Sequence, residues 1–241
     1  MKKIGQILLL LLTTQLLQAQ YSDYPKGTYD LSSVNFENVR IGIKVSPSIS
    51  WLDVTHSDVV QGGASTKVGI GLTAHYNINS LLSITTAVNY ANFGGYVSDS
   101  KSFADLSTKD YYKLNYSAIE TPIGIKLKTP ILNKYDYYVH GGVQTNFLMR
   151  AKEQYFDANT GKKVREQDIL TDYTHPTVVG FFGGIGAGYE IHSKLRIFAE
   201  LQYKHMLTTV SIGDNYTKDA RYDDPLYLYP RSMELSFGLE F

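Results

Sequence analysis

The sequence predicts an all-β fold: eight antiparallel strands, linked up and down and closed into a barrel that spans a membrane. Three observations carry the prediction. Apolar and polar residues alternate with period two through eight segments, the mark of strands with two unlike faces. The connections alternate short and long, as in bacterial barrels with tight periplasmic turns and extended outer loops. No stretch beyond the start is long and apolar enough for a membrane helix, which needs about 20 residues, so a crossing must be made by a closed barrel.

The first segment reads as targeting. Lys2 and Lys3 precede the apolar run Ile7 to Leu12, which continues weakly through Leu16 and Leu17 to the small residue Ala19. A basic start, a short apolar centre and a small residue make the layout of a secretory signal peptide over 1–19. The apolar centre is too short for an anchor helix. A polar, tyrosine-containing periplasmic lead is expected over 20–38, and the barrel over 39–241.

The strands follow in order. Val39 to Trp51 places Val39, Ile41, Ile43, Val45, Ile49 and Trp51 opposite Arg40, Lys44 and three serines. Lys67 to Tyr76 and Leu82 to Phe93 repeat the pattern. Tyr111 to Lys128 has Tyr112, Leu114 and Tyr116 on one parity and Ile119, Ile123, Ile125 and Leu127 on the other, which predicts a β-bulge near Ala118. Tyr135 to Arg150 sets Val139, Val143, Phe147 and Met149 against His140, Gln144, Asn146 and Arg150. Val178 to Ile191 is glycine-rich. Leu195 to Leu207 and Ser232 to Phe241 alternate cleanly. Pro47 and Pro122 fall inside strands and cannot donate to a ladder, so bulges are expected there too. The long connections are Asp53 to Thr66, Gly94 to Asp110, Ala151 to Thr177 and Thr208 to Arg231. An even strand number puts both chain ends in the periplasm.

Lysine plus arginine equal aspartate plus glutamate at 23 each, so no global field points to nucleic acid. Cysteine is absent, which excludes disulfides, thiolate metal sites and a cysteine nucleophile. Tyrosine is abundant, at 20 residues; it suits both strands and a membrane–water boundary.

The inward parity carries both charge signs. Arg40, Lys44, Lys67, Lys126 and Arg196 are expected to face Glu120, Glu190, Glu200 and Glu234 in one lumen. Eight strands leave a space that side chains can fill. Buried charges must pair, so a plugging ion-pair network is expected, with a gated ion path as the functional alternative. Gly180, Gly184, Gly186 and Gly188 make room for long neighbours such as Arg196.

No catalytic, cofactor or metal site is expected. Gly183 to Gly188 imitates a nucleotide loop, but Tyr189 stands where the third glycine is needed and no helix follows. Gly161-Lys162-Lys163 lacks the hydroxyl residue of a phosphate loop. The six histidines are scattered, without metal-ligand spacing. His205 falls on the lipid-facing parity. A rim enzyme acting on lipid would need a nucleophile, base and acid brought together from separate strands. Tyr155-Phe156 and Tyr222 to Tyr229 read as loop packing or as contacts for another envelope protein.

The stretch Tyr116-Ser-Ala-Ile119-Glu120-Thr-Pro122-Ile-Gly-Ile-Lys126 resembles a strand motif of the PorT-like outer-membrane β-barrel family, common in Bacteroidota. The Gly141-Gly142 strand and the Gly183-to-Glu190 run followed by Leu195-Arg-Ile are similar to its next strands. The resemblance implies an outer-membrane barrel, and one branch of the family serves type IX secretion and gliding. The terminal Phe241 resembles the C-terminal signal read by the barrel assembly machinery. The expected role is structural or interactive, with outer-membrane lipid, that machinery and other envelope proteins as partners. A narrow channel is the alternative.

Overall fold

The computed structural model describes residues 38–55, 59–98, 111–131, 134–157, 160, 162–170, 173–192, 195–211 and 226–241. The expected signal peptide, nearly all of the lead, His56 and most of the Thr208–Arg231 connection lie outside the described residues. Within the described residues the chain forms strands β1 (Val39–Thr55), β2 (Val60–Asn77), β3 (Leu82–Ser98), β4 (Tyr111–Lys128), β5 (Tyr135–Phe156), β6 (Lys163–Asp168), β7 (Thr177–His192), β8 (Leu195–Met206) and β9 (Tyr227–Glu240).

Eight of these make a closed antiparallel ring, β1-β2-β3-β4-β5-β7-β8-β9, with β9 paired back to β1 from Gly42–Glu240 to Thr55–Tyr227. Closure leaves no open edge in the hydrocarbon, where an unpaired amide is costly. The short turns share one end with the C-terminus. One is held by Asn79, whose side-chain oxygen accepts from the Leu81 and Leu82 amides, both at 2.8 Å. Phe241 extends the closure: its amide donates to the Ile41 carbonyl at 2.7 Å.

The wall follows the alternation. Ile41, Ile43, Val45, Ile49, Ile70, Leu72, Val88, Ile123, Ile125, Val143, Ile185 and Leu235 all point away from the lumen as large exposed apolar groups. In water this would be an aggregation surface; in a bilayer it is the hydrocarbon contact. Tyr135 lies tilted against Tyr189 (4.8 Å) at the turn end, and Trp51 tilted near Tyr203 (6.4 Å) toward the other end. These rings suit the two interfaces.

The expected connection from Asp53 to Thr66 is mostly strand, because β1 runs on to Thr55 and β2 begins at Val60. Four further expectations need correction. First, β6 was not anticipated. Residues 151–156 continue β5, and β6 folds back on them as a hairpin outside the ring. Its Lys-Val-Arg-Glu-Gln-Asp sequence has no apolar face to reveal a strand. Secondly, β4 keeps its parity. Leu114, Tyr116, Ala118, Glu120, Gly124 and Lys126 are all buried, so even residues face inward throughout. What changes near Ala118 is the chemistry of the interior. The irregularity at that level belongs to β5: Ser117 pairs Arg150 and Ala118 pairs Leu148, leaving Met149 extra. That bulge turns Arg150 outward, against the expectation. Thirdly, the prolines cause no bulge. The β1–β9 ladder skips from Val45–Phe237 to Ser48–Glu234 around Pro47, and β3–β4 skips from Thr86–Ile123 to Asn89–Glu120 around Pro122. Both resume in register, at the cost of local ladder bonds. Thr86 Oγ1 donates to the Pro122 carbonyl at 2.9 Å. The fourth concerns Lys67 and is described with the lumen.

Candidate functional site

The interior has two storeys. The lower one, toward the short turns, is ionic. Arg196 grips Asp136 through both carboxylate oxygens (2.9 and 2.7 Å) and donates to Glu240 at 2.6 Å. Lys204 bridges Glu120 (2.8 and 2.9 Å) and Glu234 (2.7 Å). Lys44 joins Glu234 (3.1 Å) to Glu200 (3.5 Å). Glu120 also accepts from Asn89 at 2.6 Å, and Glu200 from the Tyr138 hydroxyl at 3.1 Å. His75 lies 3.1 Å from Glu240. Lys126 rests over the Tyr138 ring, 4.2 Å from its centre. At the mouth, Arg40 pairs with Glu190 at 2.9 Å and the two are part-exposed. Between the network and the turns is a polar vestibule of about 280 Å³.

These charges come from β1, β4, β5, β7, β8 and β9, so only the closed ring assembles them. All but the Arg40–Glu190 pair at the mouth are buried and desolvated, and the charge-assisted hydrogen bonds offset that cost. Glycines supply the room. A Cβ on Gly186 would lie 2.3 Å from the Tyr138 ring, and one on Gly188 would meet Arg196.

Of the residues singled out in the sequence, Arg40, Lys44, Glu120, Lys126, Glu190, Arg196, Glu200 and Glu234 lie in this lower storey. Lys67 does not. Between Ala64 and Ile70 the β2–β3 ladder is interrupted, and Lys67 Nζ donates to Asn115 Oδ1 at 2.5 Å. Asn115 alternates with buried Leu114 and Tyr116 and so lies on the outer face of β4. Asp136, Lys204, Glu240 and His75 were not in the expected network. Their inward parity was a usable signal, since Asp136, for one, shares the buried face of β5 with His140 and Gln144.

The upper storey is apolar. Leu52, Leu114, Tyr116, Ala118, Leu148, Ala151, Val178, Met206 and Leu228 fill it, with Phe93 stacked on Tyr116 at 5.4 Å. Residues 169–170, 173–176 and 207–211 fold over the top. The Ile169 amide donates to the Ala151 carbonyl (3.0 Å), Thr174 bridges Ser211, and the Val210 amide donates to the Leu228 carbonyl (2.9 Å). Ile169 and Val210 are buried in this lid.

Of the motif residues, Ile119 faces outward, Tyr116 the upper storey, Glu120 and Lys126 the ionic storey, and Pro122 interrupts a ladder. His205 stacks on Phe181 at 5.0 Å, on the outward parity. Among the described residues no group of three or more His, Cys, Asp or Glu is placed to hold a metal.

A closed eight-stranded ring with an apolar wall and a filled polar-to-apolar interior defines an outer-membrane β-barrel. The family model for the outer membrane protein beta-barrel domain matches residues 18–211, and the chain belongs to that family. Its place is the outer membrane. Comparison with curated protein sequences gives no match. Among solved structures the chain is similar to OprG of Pseudomonas aeruginosa, at 13% identity over 83% of this chain and 95% of that one, with a TM-score of 0.48. It is also similar to the outer membrane protease OmpT of Escherichia coli (11%, 85% and 96%, 0.44) and to Neisserial surface protein A (14%, 82% and 95%, 0.40). At such identities a likeness concerns the fold alone.

Proposed function

We propose that the chain is a sealed, non-enzymatic barrel that serves an envelope complex as a structural or interaction subunit. One observation carries this reading: the lumen is filled twice over, by ion pairs below and by apolar side chains and a lid above. A channel needs a continuous wet path, and among the described residues the buried apolar storey stands across it. Such a protein works through its outer surface, where the β5–β6 hairpin projects beyond the ring. The non-enzymatic reading is supported by the placement of His75 and His140, whose neighbouring carboxylates lie inside the wall beneath the apolar storey.

The test has two arms. Single-channel recording in planar bilayers is expected to be silent, and steady conductance would sink the sealed reading. Crosslinking in cells followed by detergent extraction is expected to recover envelope proteins that are lost when residues 157–162 are replaced by a short glycine linker. Recovery unaffected by that replacement would remove the hairpin from the role.

A second reading places the chain with the PorT-like branch, as part of a type IX secretion or gliding apparatus. The Tyr116-to-Lys126 motif resembles the broad family to which that branch belongs, most members of which carry no such role. Deletion of the gene is then expected to abolish gliding or secretion, and a normal phenotype would remove this reading while leaving the first intact.

A further inference from the structure

The outer end of β4 carries an excess of positive charge on its outward face. Lys113 and Asn115 alternate with buried Leu114 and Tyr116, so both look away from the lumen. Lys67 bonds to Asn115, and Lys152 stands directly across from Asn115 in β5. Lys113 lies over the Tyr96 ring, 5.4 Å from its centre. Arg150, turned outward by the Met149 bulge, is exposed opposite Ser117.

β6 brings two carboxylates to this side, Glu166 and Asp168. Glu166 is shared by Lys152, Lys163 and Gln154, and Asp168 accepts from the Leu170 amide at 3.0 Å. Among the described residues, Lys67, Lys113 and Arg150 have no carboxylate partner. None of these cations stands directly opposite another, but like charges on one face repel, and an anion among them relieves that repulsion.

The height of the group says where that anion comes from. Four residues further down β4, Ile119 faces the hydrocarbon, with Tyr90 across in β3 and Phe147 and Met149 exposed on β5. Four strand residues span about 13 Å, and less along the membrane normal because strands tilt; Arg150, opposite Ser117, starts two residues above Ile119 and reaches the same level by extending its long side chain outward. The cations therefore stand at the level of outer-leaflet headgroups, directly above an apolar wall.

We propose that this cluster binds a phosphate on the headgroup of an outer-leaflet glycolipid, whose acyl chains lie along Tyr90, Ile119 and Met149. Lys113 and Arg150 meet the phosphate, the guanidinium through paired hydrogen bonds, and Asn115 holds Lys67 beside them.

Native mass spectrometry of the full chain in detergent, with bisphosphorylated lipid A as probe, tests this. A one-to-one adduct is expected. The K113Q/R150Q double variant should bind on the order of tenfold more weakly. Dephosphorylated lipid A should bind the unmodified chain as weakly. Lys134→Gln, at the opposite end of the barrel, should change nothing, and inorganic phosphate at equal concentration should not displace the lipid. The proposal is overturned if the double variant, shown to be folded by its β-sheet circular dichroism, retains full binding. Equal binding of the dephosphorylated lipid also overturns it, and displacement by inorganic phosphate assigns the cluster to a free anion instead.

Discussion

The Arg196 guanidinium occupies the space that a side chain at Gly188 would fill: a Cβ there would stand 2.1 Å from Nε and from Nη2. Glycine at 188 is therefore a condition for the Arg196–Asp136 pair. Gly188→Ala should displace the guanidinium and cost about 1–3 kcal/mol through overpacking alone. Urea unfolding in lipid vesicles measures this, and an unchanged midpoint would show that Arg196 has another seat.

Lys204 neutralises two buried glutamates at once. Lys204→Ala leaves Glu120 and Glu234 under-compensated, with an expected loss of about 3–5 kcal/mol. Adding Glu120→Gln removes one stranded charge, so the double variant should be more stable than K204A. Additive losses in a double-mutant cycle would show that the two residues are not coupled.

Glu166 offers a pH test outside the membrane. Hydrogen bonds from Lys152, Lys163 and Gln154 hold its carboxyl well below the usual carboxylate range, at about 2. The folded value is depressed, so the contribution to the hairpin is present above the ordinary value of 4.5 and is lost as pH falls through about 2. Exposed pairs matter little to global stability. The effect should therefore show as faster amide exchange confined to β6 in Glu166→Gln, with an unchanged unfolding midpoint. Titration of the Glu166 carboxyl carbon near 4.5 would refute it.

Phe241 closes the ring beside Ile41 and faces outward. If it is read by the assembly machinery, Phe241→Ala should lower the amount of protein inserted in cells while leaving refolding into vesicles nearly unchanged. Equal loss in both settings would make its role one of packing.

Much of this architecture was readable from alternation, because the hydrocarbon imposes one rule on every outward residue. The same rule explains the errors. Alternation reports which residues share a face and says nothing of what that face meets. On β4 the apolar parity changes at Ala118 because the interior turns from ionic to apolar, and this imitated a slip of the strand. For the same reason Leu52, Leu114 and Leu228 did not announce themselves as lumen residues. The partner of Asp136 stayed hidden because Arg196 is 60 residues away in the sequence and the two meet only across Gly188 of the intervening β7. Lys67 misled because a register break let its side chain pass to the other face.

Lys204 on β8 ties Glu120 on β4 to Glu234 on β9, so the bond crosses the cylinder instead of following its wall. Such a strut resists flattening. A hollow tube of this size would deform as lateral pressure in the bilayer changes, and loops mounted on it would shift with it. A braced tube keeps a constant cross-section, and whatever docks on its rim meets the same spacing whether the surrounding lipid is fluid or stiff.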